Sequence, residues 1–185
     1  LVVVGNPTNP TSVLHTREQL LALRRPGRIL VVDEAFADSI PGEPQSLAGD
    51  ALPDVLVLRS LTKTWALAGL RVGYALASPA VLARLTAQRA HWPVGTLQLT
   101  AIAQCCGQQA VIDAAAGATR LTQLRAEMVA GLAAVGVEVV DGRAPFVLFR
   151  TPYTVQLRKS LHDRGIAVRR CDTFVGLDER YLRAA

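Results

Sequence analysis

The chain has 185 residues and a formal net charge of +5, and half of its residues are hydrophobic. This composition excludes a disordered chain and allows a core that buries roughly 70% of the surface exposed on unfolding. No apolar run reaches the ~20 residues of a membrane span, no signal peptide is recognisable, and the basic residues form no nucleic-acid-binding stripe or module. We therefore expect a cytoplasmic globular protein that binds neither membranes nor nucleic acids.

Strands and helices alternate in the first half of the chain. Continuous apolar runs predict four strands, over residues 2–5, 28–32, 54–59 and 72–77. A capping box at residues 16–19 predicts a helix that continues to about residue 25. Runs that are apolar throughout are typical of a sheet covered on both faces. The predicted fold class is therefore α/β with a mostly parallel sheet.

The second half has a different character. Its predicted helices cover residues 79–90, 98–116, 119–134 and 153–164, and its predicted strands cover residues 135–140, 146–150 and 166–170. This pattern indicates a partial large domain over residues 1–118 and a small α+β domain over residues 119–185. The chain starts on an apolar run without an initiator methionine and stops within another pattern, so we interpret it as an internal fragment of a longer protein.

Several polar residues lie just past the ends of the predicted strands, where ligands bind in open α/β sheets. They are Asn9, Asp33, Ser60 and Lys63. Lysine is scarce, because only two of the twenty Lys and Arg residues are lysines. The position of Lys63 in a hydroxyl-rich segment therefore indicates a nucleophilic amine rather than a general positive charge.

Each of these features also has an ordinary interpretation. The sequence Asn-Pro-Thr-Asn-Pro-Thr at residues 6–11 is typical of a turn, and an Asp after a strand is often a helix cap. Ser60 and Lys63 match the Ser-x-x-Lys signature of penicillin-binding acyl enzymes, although no Lys-Thr-Gly sequence follows them. The three cysteines, Cys105, Cys106 and Cys171, and the three scattered histidines predict neither a disulfide framework nor a metal site.

The ordered set of motifs resembles a known family. Asn-Pro-Thr-Asn-Pro-Thr, then Asp-Glu-Ala-Phe at residues 33–36, then Ser-x-x-Lys followed by Arg71 is similar to the fold-type-I pyridoxal-phosphate enzymes, in particular the class I and II aminotransferases. The resemblance is strong over residues 2–77 and looser beyond. It implies an aspartate aminotransferase-like large domain, pyridoxal 5′-phosphate as cofactor, and a homodimer in the full-length form.

The resemblance also implies residue roles. Lys63 would form the Schiff base with the cofactor aldehyde and move protons at the substrate α-carbon. Asp33 would pair with the pyridinium nitrogen, and Asn9 would donate to the phenolate oxygen and contact the substrate. Arg183 matches the family's substrate-carboxylate arginine, unless it is an ordinary surface residue. The residues implied to bind the cofactor phosphate are Ser60, Thr62 and Arg71.

Three departures from the family pattern are visible. Phe36 stands where many aminotransferases have a tyrosine that also contacts the phenolate oxygen, so the pKa of the Schiff base should be higher. Ser12 stands where the loop usually has glycine. The upstream segment with the ring-stacking aromatic is missing, so this chain by itself could hold the cofactor poorly.

Two branches of the family are most similar, and both act on a small phosphorylated amino acid or amine. Phe36 favours the L-threonine-O-3-phosphate decarboxylases of cobalamin biosynthesis. The alternative is a histidinol-phosphate aminotransferase or a related transaminase. A third interpretation, from another functional class, is a catalytically silent binding domain, against which the complete motif set argues.

Overall fold

The computed structural model describes residues 1–185, the whole chain. The chain divides into two compact units. The first unit comprises Leu1–Asn6 and His15–Thr119, and the second comprises Pro7–Leu14 and Arg120–Ala185. The assignment of these units to a large and a small domain with a boundary at residue 118 stays a prediction.

The first unit contains a four-stranded sheet in the order β1-β2-β3-β4. Its strands are β1 (Val2–Gly5), β2 (Leu30–Asp33), β3 (Val55–Ser60) and β4 (Gly73–Ala77). The first three strands run parallel, and β4 runs antiparallel to β3. The expected α/β class with a mostly parallel sheet is confirmed, and all four predicted strands are present with bounds moved by no more than two residues.

The core of this unit packs against the two central strands. Its buried members are Leu20, Leu30, Val32, Leu47, Val55 and Val57. Burial of each such side chain contributes about 1.5–3 kcal/mol. Leu20 belongs to α1 (Arg17–Leu21), which begins with the predicted capping box between Thr16 and Gln19. The helix ends four residues earlier than predicted, and the chain continues in tighter turns, with the Leu23 amide donating to the Leu20 carbonyl at 3.1 Å.

Four further helices follow along the chain. They are α2 (Leu61–Thr64), α3 (Pro79–Thr86), α4 (Thr96–Cys105) and α5 (Gln108–Ala134). The predicted break between residues 116 and 119 is wrong, since α5 continues through Gly117 and the break lies at Cys106 and Gly107. A helical glycine costs about 1 kcal/mol relative to alanine, and the alanines that precede Gly117 support the helix there. No helix is both long enough and apolar enough to span a membrane.

The second unit contains a fully antiparallel sheet in the order β5-β6-β8-β7. Its strands are β5 (Glu138–Val139), β6 (Val147–Arg150), β7 (Arg169–Arg170) and β8 (Tyr181–Ala184), and its helix is α6 (Thr154–His162). The sequence did not predict β8. That strand is short and carries a charged residue, so its conformation depends on pairing with β6 and β7.

Candidate active site

The first unit brings two predicted site residues to one edge of its sheet. Asp33 is the last residue of β2 and Ser60 is the last residue of β3. Because these strands are parallel, both residues lie at the carboxyl edge. Asp33 is in register with Leu58, so Ser60 lies two residues, or about 7 Å, further along the neighbouring strand.

Lys63 is presented by α2, which begins immediately after Ser60. The amide of Leu61 donates to the carbonyl of Val72 at 3.2 Å, which ties the start of α2 to the chain that enters β4. Lys63 is exposed and forms neither an ion pair nor a hydrogen bond. Its Nζ lies 5.4 Å from the centroid of the Phe36 ring, within the range of a cation–π contact. The lysine amine is therefore held beside an aromatic face without a carboxylate partner.

Thr62 is buried, and its hydroxyl donates to the carbonyl of Val72 at 3.2 Å. That hydrogen bond uses the proton of the hydroxyl and leaves its oxygen as an acceptor only. The Ser60 side chain makes no capping hydrogen bond to α2. Of the two hydroxyls, Ser60 is therefore better placed to donate to an anion.

Asp33 does not cap a helix. Its Oδ1 accepts from the amide of Ala35 at 3.1 Å, and the next helical segment is a 3-10 turn at Ala37–Ser39 that begins after Phe36. Asp33 is exposed and forms no ion pair. The helix-cap alternative is therefore wrong, and the carboxylate keeps one oxygen free for a cationic partner.

Arg71 stands in strained backbone. Its φ is +51°, and Ala66 in the same loop has a φ of +52°, in the left-handed region that costs non-glycine residues about 1–3 kcal/mol. Arg71 is exposed, donates from Nη1 to the carbonyl of Ala68 at 3.2 Å and forms no ion pair. Gly73 follows, where an added Cβ would lie 2.6 Å from the carbonyl oxygen of Arg59, so only glycine lets β4 approach β3 here.

Three charged groups in the first unit thus lack ionic partners: an amine, a carboxylate and a guanidinium, from Lys63, Asp33 and Arg71. Some other arginines of the same unit are paired, as Arg17 is with Asp50 at 2.5 Å and Arg24 with Asp54 at 2.7 Å, whereas Arg25 and Arg28 bond only backbone carbonyls. An amine that can bond an aldehyde, a carboxylate for a ring cation and an anion-binding guanidinium match the needs of a phosphorylated aromatic aldehyde. The residues present therefore fit the expected cofactor.

The second unit contains the two remaining predicted residues. Arg183 Nη1 donates to Asn9 Oδ1 at 2.6 Å, across 174 positions of sequence. The amide oxygen of Asn9 thus accepts from Arg183, and the amide nitrogen of Asn9 remains available to donate. The Arg183 guanidinium also lies 4.9 Å from the centroid of the Phe146 ring. These two contacts hold the Arg183 side chain in place, so it is not an ordinary surface arginine.

Burial lowers the pKa of Arg183, and its Nε is buried without a hydrogen-bond partner. An unpaired buried donor is costly, so an anion brought to this guanidinium would gain a charge-assisted hydrogen bond. This property suits a residue that binds an anionic group.

The loop of residues 6–11 is a turn as well as a candidate site. Asn6 closes it, accepting from the His15 amide at 2.8 Å and donating to the His15 carbonyl at 3.2 Å. Ser12 has a φ of +65°, the conformation for which the family's glycine is suited. Its strain is offset because its Oγ accepts from the Ala144 amide at 2.7 Å and its carbonyl accepts from the Arg143 amide at 2.6 Å.

One buried charged residue was not identified from the sequence. Arg59, one residue before the end of β3, is almost fully buried and is surrounded by carboxylates. The sequence does contain a signal for this residue, because Arg59 is a charged residue at the end of an otherwise apolar strand. Such a residue predicts charged partners, since buried charges occur almost only with partners.

The comparison with family models gives one match that covers nearly the whole chain. The model described as "Aminotransferase class I and II" matches residues 1–184. The chain belongs to the class I and II aminotransferase family. Enzymes of this family use pyridoxal 5′-phosphate, so the expected cofactor is confirmed at the level of the family. The assignment also contradicts the alternative of a serine–lysine acyl enzyme.

Curated relatives of this aminotransferase-family chain come from both expected branches. A histidinol-phosphate aminotransferase of Mycobacterium tuberculosis is 80% identical over 185 residues, which is 100% of this chain and 51% of the relative. A threonine-phosphate decarboxylase of Salmonella typhimurium is 35% identical over 190 residues, 97% of this chain and 51% of the relative. The chain therefore spans about half the length of these relatives.

The solved structures agree with the family assignment. The histidinol-phosphate aminotransferase from Clostridium acetobutylicum has a TM-score of 0.86 and 25% sequence identity, and the match covers 98% of this chain and 57% of that protein. The aminotransferase-like fold expected from the motifs is thus confirmed. The preference for the decarboxylase branch is less well supported than the alternative, because the 80% identical relative carries the aminotransferase name.

Proposed function

We propose that the full-length protein containing this chain is a pyridoxal-phosphate-dependent aminotransferase that acts on histidinol phosphate. The observation that carries a catalytic function is the unpaired Lys63 amine on the residue run that follows β3, at the sheet edge that also bears the unpaired Asp33 carboxylate. The identity of 80% to a histidinol-phosphate aminotransferase supports the substrate. A silent binding domain would have no need to keep these charges uncompensated.

In this proposal the cofactor, when bound, supplies an aldehyde and a protonated ring that withdraws electrons from the substrate α-carbon. Lys63 would hold the cofactor through its amine and, as the free amine, would move the proton at the substrate α-carbon. Asp33 would favour the protonated ring nitrogen through its negative charge. Ser60 and Arg71 would hold the phosphate, whereas the Thr62 hydroxyl, which donates to the Val72 carbonyl, has no proton left for it.

Asn9 and Arg183 of the second unit have proposed roles of their own. The nitrogen of the Asn9 amide would donate to the ring oxygen of the cofactor, and Arg183 holds the amide oxygen. Arg183 also binds an anionic group of the substrate, through charge-assisted hydrogen bonds. The homodimer and the cytoplasmic location implied by the resemblance stay predictions.

A second activity has its own support. The 35% identity to a threonine-phosphate decarboxylase and the Phe36 side chain both favour decarboxylation of threonine phosphate. The two reactions break different bonds at the α-carbon, the bond to hydrogen or the bond to the carboxylate. Substrate orientation selects between them.

Product analysis on the full-length protein distinguishes the two reactions. Incubation with histidinol phosphate and 2-oxoglutarate should release glutamate, and incubation with threonine phosphate should release little carbon dioxide. Carbon dioxide from threonine phosphate without glutamate from the first mixture would reverse the assignment. If the protein holds the cofactor on Lys63 but releases neither product, both proposed substrates are wrong.

A further inference from the structure

A buried ionic cluster includes residues that are adjacent in sequence to those proposed to bind the cofactor. We call it the Arg59 cluster, and its members are Glu34, Asp38, Glu43, Arg59 and Thr64. Arg59 is at its centre, with Nη1 donating to Asp38 and Nη2 donating to Glu43. Its Nε lies 3.4 Å from Glu34 Oε2, at ion-pair distance but without hydrogen-bond geometry. The Arg59 side chain is 8% exposed and that of Glu34 is 0% exposed, so the charges are shielded from water.

The cluster joins segments that are distant in sequence. Thr64 Oγ1 donates to Asp38 Oδ2 at 3.0 Å, which connects α2 to the 3-10 turn after β2. Glu34 accepts from the Leu47 amide at 2.8 Å and from Ser46 Oγ at 2.6 Å, which connects the end of β2 to a loop. Arg59 adds the end of β3.

Burial raises the pKa of the Glu34 carboxyl, against the opposing hydrogen bonds from Ser46 and Leu47 and the nearby Arg59 charge. Burial alone would lower the pKa of Arg59, but hydrogen bonding and charge attraction to Glu43, Asp38 and Glu34 outweigh it. One guanidinium therefore compensates up to three carboxylates in a poorly hydrated place. Loss of that single charge would leave like charges facing each other and force the segments apart.

Three of the five cluster members stand next to a proposed cofactor residue. Asp33 precedes Glu34, Ser60 follows Arg59, and Lys63 precedes Thr64. Successive strand residues project to opposite faces, so Arg59 is anchored on the face opposite to Ser60. A shift at one of these three members would displace the neighbouring cofactor residue through the backbone.

We propose that Arg59 is a positioning residue, which fixes the spacing of Asp33, Ser60 and Lys63 through the ionic cluster without touching the cofactor. This inference rests on the proposed function, because it assumes that those three residues bind one cofactor. It predicts that weakening the cluster changes the chemistry at Lys63 and not only the stability of the fold.

The test uses the full-length holoenzyme and the substitution Arg59→Gln. Its matched control is Arg24→Gln, which removes a bidentate pair with Asp54 at the opposite end of the same strand, where Asp54 immediately precedes β3. Four quantities are measured: kcat, KM, the dissociation constant of pyridoxal phosphate, and the pH midpoint of the visible absorbance change of the bound cofactor.

We expect Arg59→Gln to lower kcat by about 10–100-fold, to weaken cofactor binding about tenfold and to move the pH midpoint by about half a unit or more, as expected for a small displacement of reacting groups. Arg24→Gln should leave all four quantities within about twofold or a tenth of a unit, because its pair lies away from the cofactor residues. Arg59→Lys should recover part of the loss, because it restores the charge but only some of the hydrogen bonds.

A second variant covers the case in which Arg59→Gln does not fold. Thr64→Val is nearly isosteric, removes one link of the cluster and should shift the pH midpoint in the same direction by a smaller amount. Unchanged kcat and midpoint in Thr64→Val, or in a folded Arg59→Gln, would overturn the positioning role. Absence of cofactor on Lys63 in the unaltered protein would instead overturn the proposed function.

Discussion

The two ends of the parallel strands in the first unit differ in which of their charged side chains form ion pairs. At the amino end, Arg24 holds Asp54 through three hydrogen bonds of 2.7–3.0 Å, and the Leu30 amide donates to the Asp54 carbonyl at 2.9 Å. At the carboxyl end, Asp33 and Lys63 have no ionic partner. The amino end pairs its charges, whereas at the carboxyl end Arg59 is paired with carboxylates but Asp33 and Lys63 are left free for a ligand.

Backbone strain follows the same division. The left-handed residues Ala66 and Arg71 lie in the loop that leads from α2 into β4, whose first residue pairs with the end of β3. No comparable residue lies in residues 50–55 before β3. Strain of this kind persists where the surrounding structure enforces it and a function needs the geometry.

The largest effect should come from removing the amine at the carboxyl end. We expect Lys63→Ala in the full-length protein to lower turnover by about 10⁴-fold, because both the covalent link to the cofactor and the proton carrier are lost. Steady-state kinetics with histidinol phosphate and 2-oxoglutarate measure this. Turnover within tenfold of the unaltered protein would show that another group performs the chemistry.

Removing the charge of Asp33 should have a smaller effect. Asp33→Asn keeps an oxygen that can accept from the Ala35 amide, so the local turn should survive, but it cannot hold the ring nitrogen protonated. We expect the cofactor to remain attached to Lys63 while kcat falls by about 10²–10³-fold, the scale of losing one preorganised electrostatic group. A kcat close to that of the unaltered protein would contradict the role assigned to Asp33.

A more modest change is expected at Phe36, whose ring lies 5.4 Å from Lys63 Nζ. Phe36→Tyr introduces the hydroxyl that many family members have at this position. A hydrogen bond to the deprotonated ring oxygen should lower the pH midpoint of the visible absorbance by about one pKa unit, or 1.4 kcal/mol. A spectrophotometric pH titration measures the midpoint, and a rise in its value would contradict the placement of Phe36 beside the cofactor.

The smallest effect should come from the amino end. The hydrogen bond from Arg24 lowers the pKa of Asp54, so the pair stabilises the fold above the unfolded pKa and the contribution is lost as pH falls through the lower folded pKa. Arg24→Gln should therefore lower stability slightly at neutral pH, because solvent screens an exposed pair, and almost not at all below the folded pKa. Denaturant unfolding at several pH values tests this, and a loss that grows on acidification would be the wrong sign.

The sequence predicted the parts of this comparison that depend on local patterns. The apolar runs located β1 to β4, and the polar residues after them located the carboxyl edge. Both hydrogen bonds of the predicted capping box of α1 are confirmed. They could be predicted because they join residues only three positions apart. Recognition of the family from three ordered motifs was also confirmed.

The sequence could not provide what depends on tertiary contacts. The contact of Arg183 with Asn9 joins residues 174 positions apart, and β8 becomes a strand only by pairing with its neighbours. The Arg59 cluster draws its members from separate segments, and nothing in their separate sequences shows that they meet. The helix prediction placed a break between residues 116 and 119, where α5 continues through Gly117.

The most direct test of the account is to identify which lysine carries the cofactor. The full-length protein would be loaded with pyridoxal 5′-phosphate, reduced with borohydride, digested and analysed by mass spectrometry. Lys159 is the internal control, since it is 79% exposed and pairs with Asp163 at 3.1 Å in the second unit. We predict that the reduced cofactor is attached to Lys63 and is absent from Lys159. A catalytically active protein that carries the label elsewhere, with Lys63 unmodified, would contradict the account.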